Sequence, residues 1–219
     1  MEDMKLIGKI ESCGVIPVIA IESPSLALPL ADALIQGGLP AAEITFRTQA
    51  AGGVIKKLKE ERPQLLLGAG TILSIDNLLQ AKEYGAKFGV APGLNPEIVR
   101  KAQEIGFPFF PGVMTPSEIE KGLSMGIRLM KYFPSEASGG LKMLKAISGP
   151  FAHLGVKFIP TGGINMDNLG AYLEHKSVLA VGGTWIASKD MISAQKWEVI
   201  KTNAREAKER VSMIRGGSS

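Results

Sequence analysis

The chain is poor in the residues that metal and thiol chemistry require: its 219 residues include one cysteine, Cys13, and two histidines, His153 and His175. A single thiol excludes an internal disulfide framework and any multi-thiolate metal centre, so Cys13 reads as a small core residue. The histidines stand far apart with no carboxylate or thiol at ligand spacing, and neither a metal site nor another cofactor is expected. No apolar run approaches the ~20 residues of a spanning helix. The opening MEDMKLIGKIES also lacks the apolar stretch of a signal peptide. A cytoplasmic protein without a membrane partner is the expectation.

Charge of one sign is scarce outside one segment. The formal net charge is +4, and Lys196 to Arg215 holds six Lys or Arg against three Glu. The rest of the chain is therefore nearly neutral. In that segment the signs alternate, as on a solvated terminal helix rather than a nucleic-acid-binding arm, so no nucleic-acid partner is expected. With 45% hydrophobic and 21% charged residues, the chain has the composition of an ordinary globular core. Its length suits one domain spanning residues 1–219.

What is present is a repeating pattern. Short β-rich runs alternate with longer amphipathic stretches. The runs are VIPVIAI from Val15, AAEITF from Ala41, LLLGAGTI from Leu65, KFGVAPG from Lys87, FPFFPGV from Phe107, RLMKYFP from Arg128, KFIPTGGI from Lys157 and VLAVGGTWI from Val178, with starts 20 to 29 residues apart. Between them lie helical patterns such as LALPLADALIQGG, IDNLLQAKEYGA, PEIVRKAQEIG and PSEIEKGLSMG, several closed by glycine, with Pro96 and Pro116 suited to first-turn positions. Eight strand–helix units predict an α/β fold, a closed (β/α)8 TIM barrel, with a short N-terminal helix at about 4–12 and a C-terminal helix at about 197–214. An open doubly wound sheet would bring a glycine-rich turn after its first strand, and VIPVIAIESPS contains none.

Polar residues inside apolar strands need a partner or a task. In the second strand Glu43, Thr45 and Arg47 share parity and project to one face near the strand's C-terminal end. They suit catalysis, with a structural Glu–Arg pair bracing the barrel mouth as the alternative. In the sixth, Lys131 stands between Met130 and Tyr132, with Leu129 and Phe133 on its own parity. Withdrawing its ammonium from water favours the neutral amine, the form that attacks a carbonyl in imine-forming enzymes. Strands two and six would face one another across an eight-stranded barrel, which predicts Glu43 beside Lys131. Thr71 in GAGT and Pro92 in APG suit a pocket floor, or simply punctuate loops. The last two strands end in Thr161-Gly162-Gly163 and Gly182-Gly183-Thr184. Both are candidate phosphate turns, with tight turns that hold no ligand as the alternative. No Walker lysine pattern is present, so a nucleoside triphosphate is not implied.

With these motifs in order, from EITFRT, GAGT and APG through PGVMTPSE and KYFPSEASGG to PTGGI and GGTW, the chain resembles the 2-keto-3-deoxy-6-phosphogluconate/4-hydroxy-2-oxoglutarate aldolase family over about Val15 to Trp185. The resemblance implies metal-independent cleavage through a lysine imine on a small-molecule substrate, a (β/α)8 barrel and a homotrimer. It puts the imine-forming lysine at Lys131, the proton-transferring glutamate at Glu43 and the carboxylate-binding arginine at Arg47. Thr71, Pro92 and Phe133 fall near the pyruvate moiety, and Gly162, Gly163 and Thr184 fall in the phosphate-binding turns. Thr184 stands where relatives often have Ser, and KYFPSE replaces a commoner KFFPAE. That change puts Tyr132 on the outward parity, where little effect is expected.

Other functions on the same residues stay open at this level. They are an aldolase for the phosphogalactonate epimer, a sugar-phosphate isomerase or epimerase with Glu43 as base and no imine, and a non-catalytic phosphosugar-binding protein. The terminal Gly-Gly-Ser-Ser reads as a flexible tail or an appended remnant.

Overall fold

A computed structural model describes residues 2–216, with side chains from Met4 onward. Gly217 to Ser219, most of the terminal Gly-Gly-Ser-Ser, lie outside the described residues. The strands are β1 (Val15–Ile19), β2 (Ala41–Thr45), β3 (Leu66–Gly70), β4 (Phe88–Val90), β5 (Phe109–Phe110), β6 (Gly112–Val113), β7 (Leu129–Tyr132), β8 (Lys157–Pro160) and β9 (Val181–Gly183). The helices are α1 (Glu2–Cys13), α2 (Ala27–Gln36), α3 (Ala51–Glu61), α4 (Ile75–Glu83), α5 (Pro96–Glu104), α6 (Pro116–Ser124), α7 (Gly140–Ser148), α8 (Met166–Leu173), α9 (Lys189–Ser193) and α10 (Trp197–Gly216).

The closed eight-stranded TIM barrel expected from the spacing does not form. The strands make a curled six-stranded parallel half-barrel, in the order β5-β4-β3-β2-β1-β9, and a smaller three-stranded sheet, β6-β7-β8. The cause lies in the fifth strand segment, which divides at Pro111. Proline has no N–H to donate to a ladder, and the chain changes partners across it. β5 pairs with β4 through Gly89↔Phe109 and Val90↔Phe110, whereas β6 pairs with β7 through Gly112↔Lys131 and Val113↔Tyr132. Opposite that break, β8 meets the last strand segment only through the isolated bridges Phe158↔Val178 and Thr161↔Gly182. The regular ladder is thus interrupted twice.

The helices follow from local chemistry. Pro116 opens α6 behind Thr115, whose hydroxyl accepts from the Glu118 amide while the Glu118 carboxylate accepts from the Thr115 amide, a reciprocal cap. Pro96 opens α5 behind Asn95, which accepts from the Glu97 amide. The charged terminal segment is one face of α10. Its other face buries Ile200, Ala204, Ala207 and Val211, a spacing of one stripe along the helix. That stripe lies on α2 so closely that a Cβ on Gly37 would come within 2.6 Å of Ala204. Cys13 is buried, and burial pushes its thiol up. Among the described residues no helix is long and apolar enough to cross a membrane, and no group of three His, Cys, Asp or Glu could hold a metal ion.

Parallel strands align their C-terminal ends. β1 and β2 are in register through Val18↔Glu43, and β2 and β3 through Glu43↔Gly68 and Thr45↔Gly70. β7 and β8 align through Lys131↔Ile159 and Tyr132↔Pro160. The segments following these strands therefore converge on one end of the two sheets.

Candidate active site

At that end lies a cavity of about 210 Å³ lined by Val18, Glu43, Arg47, Thr71, Pro92, Lys131, Phe133, Thr161, Gly162, Gly163, Ile164 and Thr184. Glu43 comes from β2 and Lys131 from β7, so each sheet contributes one of the two ionisable groups at the base. Lys131 Nζ lies 3.3 Å from Glu43 Oε1, and both side chains are buried, at 8% and 5% exposure. Lys131 Nζ also stands 5.7 Å from the centre of the Phe133 ring, within cation–π range. A carboxylate at hydrogen-bond distance from an amine can take and return the amine's proton without help from solvent.

Room for this pair is made by Gly70 at the end of β3. A Cβ there would stand 1.9 Å from Glu43 Oε1, so any side chain displaces the carboxylate. The Gly70→Ala variant is expected to keep its fold and lose about 10²-fold in kcat, the scale of a misplaced acid–base group. Circular dichroism and steady-state kinetics on the same preparation check this, and an unchanged kcat would count against the geometry.

Arg47 sits higher, exposed at the mouth. Its Nε donates to Thr45 Oγ1 at 3.2 Å, and Thr45 Oγ1 in turn donates to the Ile19 carbonyl at 2.9 Å. The bracing Glu–Arg pair, one of the two sequence alternatives, is absent among the described residues: Glu43 pairs with Lys131, leaving the guanidinium's outer nitrogens available to an anion. Thr71 follows β3 with φ +55°, a left-handed conformation rare for a β-branched residue and costing about 1–3 kcal/mol.

Thr161, Gly162 and Gly163 form the turn after β8, with the two glycines at φ +101° and +81°. Their carbonyls are all engaged. The Ser135 amide donates to Thr161 O at 2.8 Å, the Glu136 amide to Gly162 O at 3.0 Å and Asn168 Nδ2 to Gly163 O at 3.1 Å. The amides of Gly162, Gly163 and Ile164 donate to no protein group among the described residues. Tied carbonyls with free amides form a concavity suited to an anion. Thr184 closes the wall from the other side. Gly182 and Gly183 stand behind it in β9: a Cβ on Gly182 would strike Thr161 Oγ1 at 2.4 Å, and one on Gly183 would strike the Trp185 ring at 1.6 Å. They admit their neighbours rather than line the cavity.

Ten of the twelve residues singled out from sequence thus meet at one cavity. Val18 and Ile164, which also line it, were not singled out, because an aliphatic residue facing a cavity reads like one facing the core. Tyr132 is fully buried, with its phenol oxygen accepting from Ser138 Oγ at 2.9 Å, so the hydroxyl expected to matter little is a built contact.

A family model described as KDPG and KHG aldolase matches residues 6–203. The chain is 45% identical over 202 residues to the 2-dehydro-3-deoxy-phosphogluconate aldolase of Haemophilus influenzae, covering 92% of this chain and 94% of that protein. It is 42% identical to the KHG/KDPG aldolase of Escherichia coli strain K12, covering 89% and 91% of the respective chains. The crystal structure of a KDPG aldolase from Legionella pneumophila, with pyruvate captured as a covalent carbinolamine intermediate, superposes with a TM-score of 0.88 at 39% identity, covering 92% of this chain and 97% of that one.

Proposed function

Since the chain belongs to the KDPG and KHG aldolase family, we propose that it cleaves 2-keto-3-deoxy-6-phosphogluconate to pyruvate and glyceraldehyde 3-phosphate as a class I aldolase. Lys131 is the imine-forming residue and Glu43 the proton carrier. The observation that carries this assignment is the buried 3.3 Å approach of Lys131 Nζ to Glu43 Oε1.

The steps follow from the chemistry of those two groups. The Lys131 amine, its proton held by Glu43, adds to the C2 ketone to give a carbinolamine. Protonation of that hydroxyl lets water leave, and the iminium that remains is an electron sink. Glu43 then takes the C4 hydroxyl proton, directly or through water. The C3–C4 electrons move onto the iminium nitrogen as an enamine, and the aldehyde departs. The protonated carboxyl returns a proton to C3, and water hydrolyses the pyruvyl iminium, restoring the free amine.

Arg47 binds the substrate carboxylate, two-pronged, and so selects the 2-keto group that meets the amine. Thr71, Pro92 and Phe133 enclose the pyruvate end. The turn at Thr161 to Gly163, with Thr184 across from it and Gly182 and Gly183 behind, receives the phosphate through its free amides. The chemistry of these donors calls for no metal or organic cofactor.

The 4-hydroxy-2-oxoglutarate reaction, which yields pyruvate and glyoxylate, uses the same amine and base but leaves the phosphate turn empty. A kinetic comparison of the phosphogluconate derivative, its galactonate epimer and 4-hydroxy-2-oxoglutarate tests the assignment. It predicts the highest kcat/KM for the first. Absence of pyruvate release from all three would overturn it. We assign the protein further to the cytoplasm and to a homotrimer, on the family resemblance. Light scattering should return three times the 23.3 kDa of the chain.

A further inference from the structure

Behind the cavity wall runs a buried chain of hydroxyls that the mechanism does not use. The segment after β7 carries Ser135, fully buried, and Glu136, and α8 carries Tyr172, 1% exposed. Tyr172 donates its phenolic proton to Glu136 Oε1. It therefore accepts from Ser135 Oγ, 2.7 Å away. The direction of the chain is thus fixed: Ser135 hydroxyl to Tyr172 hydroxyl to Glu136 carboxylate. Burial first, and the neighbouring Glu136 second, hold the Tyr172 phenol well above its ordinary pKa, so it remains a donor at any working pH.

The carboxylate end of this chain bears directly on the glycine turn. The Glu136 amide holds Gly162 O at 3.0 Å. The Glu136 side chain lies flat on Gly163, where a Cβ would meet Glu136 Cβ at 2.5 Å and Cγ at 2.6 Å. Glu136 is thus anchored at both ends, by its backbone to the turn and by its carboxylate to Tyr172. We propose that Tyr172 is a positioning residue that, by fixing the Glu136 side chain against Gly163, sets the placement of the Gly162–Gly163 amides relative to the Lys131 strand, and so governs affinity for the phosphate end of the substrate. This rests on the assignment of that turn as the phosphate subsite. The bond joins a buried phenol to the carboxylate of an exposed residue and is itself half-buried; charge-assisted bonds are among the stronger ones, and misplacing donors by a fraction of an ångström is costly where several amides must converge.

Two readouts separate positioning of the phosphate end from general structural support: KM for 2-keto-3-deoxy-6-phosphogluconate, and the pyruvate concentration that half-saturates borohydride trapping, which involves no phosphate. In Tyr172→Phe, KM for the phosphorylated substrate is expected to rise about tenfold, with kcat and the pyruvate half-saturation within twofold of wild type. Glu136→Ala should reproduce the effect, and it serves as the test should Tyr172→Phe fail to fold. Glu136→Gln, which keeps an acceptor for the phenol, should largely restore the wild-type KM. Equal losses in both readouts, or no loss in either, would overturn the proposal. Gly163→Ala and competition by inorganic phosphate probe the premise separately. If both change KM for the phosphorylated substrate while Tyr172→Phe does not, only the positioning role fails; if neither does, the phosphate turn and the positioning role fail together.

Discussion

Replacing Lys131 with methionine is expected to lower kcat by about 10⁴-fold or more, the scale seen when a covalent nucleophile is removed. Methionine fills nearly the same volume, so the loss would not come from a collapsed cavity. The substitution also strips Glu43 of its only ion-pair partner among the described residues. Breaking a buried pair costs about 3–5 kcal/mol when the remaining group stays charged. Lys131→Met is therefore expected to melt lower than wild type, whereas the double variant Lys131→Met/Glu43→Gln recovers stability without recovering activity. Thermal denaturation and turnover assays on the two proteins separate the contributions. Activity returning with stability would mean that the lysine only supports the structure.

Glu43→Gln should cut kcat by about 10²- to 10⁴-fold, the usual contribution of a general acid–base group, for a different reason. The amide keeps the shape that fits over Gly70 and can still accept a hydrogen bond from Lys131, but it cannot carry a proton between the amine, the C4 hydroxyl and C3. Imine formation with pyruvate should persist at a reduced rate, because the amine is intact, while cleavage nearly stops. Measuring trapping and turnover on the same protein checks this separation. A loss below tenfold in kcat would remove Glu43 from the proton path and leave it as a counter-ion.

Much of the fold was legible because it rests on local periodicity. All eight apolar runs contain strand, and α4, α5 and α6 start at the capping residues Ser74, Asn95 and Thr115, the last two followed by proline. Closure was not legible. It depends on whether the fifth run offers an unbroken row of donors to both neighbours, and Pro111 divides that run between two sheets. A closed barrel, which does not form, is what predicts Lys131 opposite Glu43, yet the curled sheet and its smaller companion still bring them to 3.3 Å.

The site was legible where chemistry conflicts with burial. A lysine and a glutamate inside apolar strands cannot be there for packing alone, whereas Val18 and Ile164 carry no such signal. Gly182 and Gly183 illustrate the reverse case. Their pattern reads as a ligand turn, but in the structure they leave room for Thr161 and Trp185, and room-making depends on distances that the order of residues does not state. Tyr172 carries no such signal in the sequence. A tyrosine on an amphipathic helix reads as core until its hydroxyl is seen to donate to Glu136.

The most direct test of the central claim is reduction with sodium borohydride in the presence of pyruvate, followed by intact-mass and peptide mass spectrometry. One pyruvyl group per chain, on the peptide that contains Lys131, is the predicted result. A protein that turns over normally yet takes up no label, or takes it up on another lysine, would contradict it.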